Sequence, residues 1–146
     1  MQKDEWMAEF SNWLGSFPWR WFASLTFRPG ISAAQRRWRL RLWMEQLQAE
    51  LGDENFQWFG VPENGRTGQN VHYHTLIGGL RGWHARERLR WMKKWNRLCG
   101  DALITPFNPA VGGVRYILKH VQPNDMDDLE LHINSHTTMQ SKFGAK

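Results

Sequence analysis

The chain reads as an α+β sandwich, a central antiparallel sheet with helices packed on one face. Three observations carry this reading. The 146 residues are enough for one domain, and splitting them would leave two thin cores. Apolar residues make up 41% of the chain, with ten Trp and eight Phe, ample mass for a compact core. Strand-like and helix-like segments alternate in the order strand, helix, strand, strand, helix, strand, followed by one more helix. A hairpin between two strand–helix units is the ferredoxin-like or RRM-like arrangement, whose second sheet face is left open for a ligand.

Each element has a local reason. Residues 4–15 space Trp6, Phe10, Trp13 and Leu14 as a short amphipathic helix. Trp21 to Phe27 reads as a strand, stopped by Pro29-Gly30. Ser32 is an N-cap, and the helix behind it runs to Leu51 with Leu40, Trp43, Leu47 and Leu51 facing a core. Strands follow at Gln57–Glu63 and Val71–Gly79, with turn residues Asn64-Gly65 and Gly68-Gln69-Asn70 between them. A second helix, Ala85–Cys99, turns Trp91, Trp95 and Leu98 inward, and a short strand occupies Ala102–Thr105. Val114–Val121 reads as a helix ended by Pro123. The boundaries fall at 1–20 for an N-terminal helical extension, 21–121 for the main domain and 122–146 for a polar tail with one further strand at Leu129–Ile133.

Composition narrows the setting. A single cysteine, Cys99, excludes an internal disulfide and fits a reducing cytosol. No basic-then-apolar leader opens the sequence, and no apolar run approaches the roughly 20 residues that cross a bilayer. A soluble, cytoplasmic protein is expected. Net charge is +5 and the sequence pI is ≈ 9.8, which favours a polyanionic partner. Cations crowd Arg36–Arg41 and Arg86–Arg97, and the candidates for contact with a nucleic-acid backbone are Arg36, Arg37, Arg86, Arg90 and Lys93. The same clusters also fit the solvated faces of two helices.

The string Val71-His72-Tyr73-His74 carries the chemistry. Alternation on a strand puts His72 and His74 on one face, about 6–7 Å apart, with Tyr73 on the other. Two imidazoles so placed can share a metal ion, although paired histidines on an open sheet face are ordinary. Glu63 closes the preceding strand, across a hairpin-sized gap, where its carboxylate can reach the same point; a solvated loop residue is the competing reading. Two His and one carboxylate leave positions open for water or a substrate oxygen.

Arg115-Tyr116-Ile117-Leu118-Lys119 supplies a candidate nucleophile. On a helix Tyr116 and Lys119 share a face, while Ile117, Leu118 and Val121 can pack inward. A free phenol has a pKa near 10, and a neighbouring cation eases its ionisation. A Tyr-x-x-Lys pair on its own more often marks an interfacial tyrosine beside a lysine whose stem lies on apolar surface.

Together these strings resemble the HUH endonucleases, the rolling-circle replication initiators of plasmids and single-stranded DNA phages. Trp21 to Phe27 resembles the family's first motif with its Leu-Thr-Phe ending, His72-Tyr73-His74 the histidine motif, and Tyr116-Ile117-Leu118-Lys119 the nucleophile motif. The ordered likeness spans residues 20 to 121. His120 stands where two-tyrosine members carry a second Tyr, so a single-tyrosine enzyme is implied. The resemblance implies a nickase acting on single-stranded DNA at a replication origin through a 5′-phosphotyrosyl intermediate, with Mn²⁺ or Mg²⁺ as cofactor. Host replication proteins are implied partners. Lys119 would assist Tyr116, and Arg115 would contact phosphate. Two other readings share much of this pattern: a single-tyrosine HUH transposase, and an RRM-like nucleic-acid binding module without catalysis.

Overall fold

A computed structural model describes residues 3–63, 71–118 and 130–133. Helix α1 (Lys3–Gly15) leads into strand β1 (Trp19–Thr26), helix α2 (Ala33–Leu51), strands β2 (Gly52–Glu63) and β3 (His72–Leu80), helix α3 (Ala85–Leu98) and strand β4 (Ala102–Pro106). A 3-10 turn at Pro109–Val111, helix α4 (Gly113–Leu118) and strand β5 (Glu130–His132) complete it. The sheet order is β4-β1-β3-β2-β5, with every pairing antiparallel. The first four strands are the ferredoxin-like sheet that the element order predicts. β5 extends it beside β2, where the sequence predicts a strand at Leu129–Ile133.

Local chemistry sets the long helix α2. Ser32 accepts from the Gln35 backbone N–H at 3.2 Å, and the Gln35 side chain accepts from the Ser32 backbone N–H at 3.3 Å. This capping box satisfies two of the donors that a helix start leaves open. Leu40, Trp43, Met44 and Leu47 then recur at helical spacing and are all buried. They meet Trp91 and Trp95 of α3, and Trp43 stacks edge-on against both, with ring centroids 5.7 and 5.6 Å away. Trp21, Ala23 and Leu25 of β1 and Tyr73 and Ile77 of β3 form the floor of this core. Leu98 does not join it, contrary to the helical spacing. The helix ends there, Leu98 is 51% exposed, and Cys99 takes the buried position.

Helices α2 and α3 cover one face, as predicted. The other face is not open throughout. Trp6, Phe10 and Leu14 of α1 and Val114, Ile117 and Leu118 of α4 form a second core over Trp19, Phe59, Val61 and Leu76. The predicted N-terminal extension is thus packed onto the sheet, because its apolar stripe finds a matching patch there. Among the described residues, the end of that face carrying His72 and His74 is the part these helices leave uncovered. One backbone approach tolerates only glycine. Gly79 has φ +73, and a Cβ there would sit 2.3 Å from the Asn55 carbonyl.

Seven tryptophans are buried, namely Trp6, Trp19, Trp21, Trp43, Trp58, Trp91 and Trp95, so their role is structural, while Trp38 is exposed. Among the described residues no helix is long and apolar enough to cross a membrane.

Candidate metal centre

The register of the β2–β3 pair builds the site. Glu63 lies directly opposite His72, and His74 is the next residue of β3 on that face. Their polar atoms converge. Glu63 Oε2 is 3.2 Å from His72 Nε2 and 2.5 Å from His74 Nε2, and the two Nε2 atoms are 3.1 Å apart. The imidazole rings stand nearly perpendicular, at 88°, so both edges aim at one point. His74 is buried, while His72 and Glu63 are partly open.

This geometry fits a cation. A metal with ligand bonds of about 2.0–2.2 Å places neighbouring donors at right angles about 3 Å apart. At these separations Glu63 Oε2 can accept from both Nε2–H groups, and a divalent ion bound to all three atoms fits the same geometry. The donor set of two nitrogens and one oxygen, with no thiolate, suits a divalent transition ion such as Mn²⁺, Fe²⁺ or Zn²⁺ better than Mg²⁺, which prefers oxygen donors. Cys99 is remote from this chemistry, a buried thiol whose pKa burial pushes up.

One contact is invisible to motif reading. Ser24 of β1 pairs with His74 across the β1–β3 ladder, and its Oγ lies 3.2 Å from His74 Nδ1. When Nδ1 carries the proton and donates to Ser24, Nε2 presents its lone pair to the site. Sequence spacing could have found it only by fixing the register of two strands far apart in the chain. Ser24→Ala is expected to lower Mn²⁺ affinity roughly 10- to 100-fold without disturbing the fold, measurable by calorimetric titration. Unchanged affinity would mean that the ring is oriented by packing alone. Phe22 supplies that packing, its ring 6.0 Å from the His74 ring.

The remaining predicted residues are placed as follows. Tyr116 lies in α4, and the buried Val114, Ile117 and Leu118 hold that helix on the sheet face that carries the histidines. Arg115 is exposed on the same helix. Lys119 and Val121 lie outside the described residues. Arg36 and Arg37 on α2, and Arg86, Arg90 and Lys93 on α3, belong to the helices of the opposite face. Arg36 donates to the Ile31 carbonyl at 2.6 Å. Arg90 is held by Glu50 at 2.5 Å and by Glu87 at 3.1 Å. The metal triad and the basic helices therefore do not form one patch.

Tyr73, the chain's other tyrosine, points away from the triad into the α2–α3 core and is 3% exposed. Burial, reinforced by the Glu130 charge, pushes its hydroxyl up to about 12, where a phenolate is scarce at neutral pH. For the cleavage that the resemblance implies, Tyr73→Phe is expected to leave activity in place, with a stability change below about 1.5 kcal/mol in thermal unfolding. Loss of cleavage in a well-folded variant would overturn its structural role. Comparison with family models, with curated proteins and with solved structures finds no match to this chain.

Proposed function

We propose that this chain is a metal-dependent nickase and strand transferase for single-stranded DNA, with Tyr116 as nucleophile, that initiates rolling-circle replication. One observation supports this above the others. Glu63, His72 and His74 converge at separations that suit a single cation, on the same sheet face as helix α4, whose sequence contains Tyr116. A module that only bound nucleic acid would have no need to bring three such donors together at a desolvation cost.

The residues divide the work. Glu63, His72 and His74 hold the cation, and Ser24 fixes the His74 tautomer. A divalent ion there supplies positive charge beside the phosphate under attack. The Tyr116 oxygen, losing its proton, bonds to phosphorus as the bond to the 3′ oxygen breaks. That oxygen takes up a proton and leaves as a 3′-OH, and the 5′ phosphate stays esterified to the tyrosine. One phosphodiester replaces another, so a later 3′-OH can reseal the strand without ATP. The phosphate requires no separate activated water, because the nucleophile is a side chain.

The substrate is single-stranded DNA at a replication origin, and host replication proteins would act on the released 3′ end. A single-tyrosine transposase would use the same parts on transposon ends. The test is incubation of the protein with a pool of single-stranded oligonucleotides and Mn²⁺, followed by denaturing electrophoresis. A protein–DNA band that requires the metal is expected. Tight binding without any covalent band would leave a non-catalytic binding module.

A further inference from the structure

The metal triad and the cations of α3 lie on opposite faces of the sheet, yet one strand edge joins them. We infer that single-stranded DNA reaches the triad by crossing the β4 edge from a groove on α3, a path that rests on the nuclease reading above.

The groove is shallow, of ≈ 780 Å³, and runs between α3 and the start of β4. Arg86, Lys93 and Arg97 line it from one stripe of the helix, with Leu89 and Met92 among them. All three cations are exposed, and among the described residues none has a salt bridge. The one carboxylate lining it, Asp101, accepts from the Asn96 amide at 3.1 Å. A polyanion with apolar bases matches this alternation of charge and aliphatic surface.

β4 is the edge strand on that side of the sheet. Ala102, which lines the groove, pairs with Leu25 of the α2–α3 core. The next residue, Leu103, pairs with Ser24, which in turn pairs with His74. Leu103, Ser24 and His74 thus form one row across the histidine face, and Leu103 stands two strand spacings, about 10 Å, from His74. Leu103 is 61% exposed, an unusual place for leucine beside a polar site, and Phe22 borders the same row. Together they offer an apolar step on which bases can lie as the backbone passes from the groove to the triad.

The opposite route, over α2 and β5, is less suited. Arg41 is bound to Glu130 of β5 at 2.9 Å, Arg39 donates to the Leu98 carbonyl at 3.0 Å, and Arg36 donates to the Ile31 carbonyl. Those three cations are committed within the protein, which among the described residues leaves Arg37 as the exposed arginine of that cluster without such a bond, against three such cations on α3.

The experiment uses the full chain with chelator present, so that binding is read without cleavage. A fluorescein-labelled oligo(dT) is titrated at several salt concentrations by anisotropy. The triple variant Arg86→Glu, Lys93→Glu, Arg97→Glu should lower the log–log salt slope by roughly 2, as expected for three lost phosphate contacts on a single strand. In parallel, Leu103→Cys and Trp38→Cys carry a thiol-linked photocrosslinker, Cys99 being buried. Crosslinking to the oligonucleotide is expected at position 103 and not at position 38 on α2. An unchanged slope, or crosslinking at 38 and not at 103, overturns the path even where the wild type forms its covalent adduct. Failure of the wild type to bind any single strand overturns the nuclease reading and the path with it.

Discussion

Tyr116→Phe is expected to form no denaturation-resistant adduct with single-stranded DNA, yet to bind the strand with wild-type affinity. Phenylalanine keeps the ring and removes only the attacking oxygen, so the loss falls on the chemical step. Removal of a covalent nucleophile commonly costs about 10³-fold or more, and no second tyrosine is placed to substitute. Tyr73 is turned to the other side of the sheet and buried under α2 and α3. Under the proposed chemistry each chain would carry one covalent strand at a time, and a cycle with two strand transfers would need a second copy or another acceptor. Peptide mapping of the wild-type adduct by mass spectrometry checks the assignment. DNA attached at Tyr73 or at a serine would defeat it.

Replacing both histidines, His72→Ala with His74→Ala, is expected to abolish the proposed metal-dependent cleavage. Charge neutralisation by a bound cation contributes several kcal/mol to such a transition state, so a loss of about 10³-fold or more is expected. Thermal unfolding supplies the second readout. Wild-type protein in Mn²⁺ at about 100 times its dissociation constant should gain about 2.7 kcal/mol, and the double variant nothing. Without metal the two proteins should differ by little more than the hydrogen bonds the imidazoles make to Glu63, about 0.5–1.5 kcal/mol each. Full cleavage by the double variant would remove the metal centre from the reaction.

Much of this was legible from local patterns. The Ser32 cap, the periodic Leu40, Trp43 and Leu47, and the His72–His74 alternation each depend on neighbours a few residues away. For that reason spacing sufficed to place α2, β3 and the triad. What escaped depends on contacts between distant segments. Ser24 acquires its role only through the β1–β3 register, and Glu130 reaches Arg41 only once β5 has docked on β2. The partial closure of the histidine face was hidden in the same way. Trp6, Phe10 and Leu14 announce an amphipathic helix, but no local signal says which surface receives it. Leu98 shows the limit of periodicity at a helix end, where the turn at Cys99-Gly100 redirects the chain and the next residue takes the buried place.

Glu63, His72 and His74 belong to one antiparallel strand pair, β2 with β3, whereas Tyr116 lies on a separate helix much later in the chain. The first assembly rests on backbone pairing between neighbours in sequence; the second rests on side-chain packing among α1, α4 and the sheet. These are different cooperative units with different opening energies. Mild denaturant or heat can therefore undock α4, and Tyr116 with it, while the β2–β3 pair that carries Glu63, His72 and His74 stays formed. Hydrogen exchange would register this as early opening of α1 and α4 against protected β2 and β3 amides. Under the proposed function, such a state would keep its cation site without being able to cut, separated from the active one by the docking of α1 and α4.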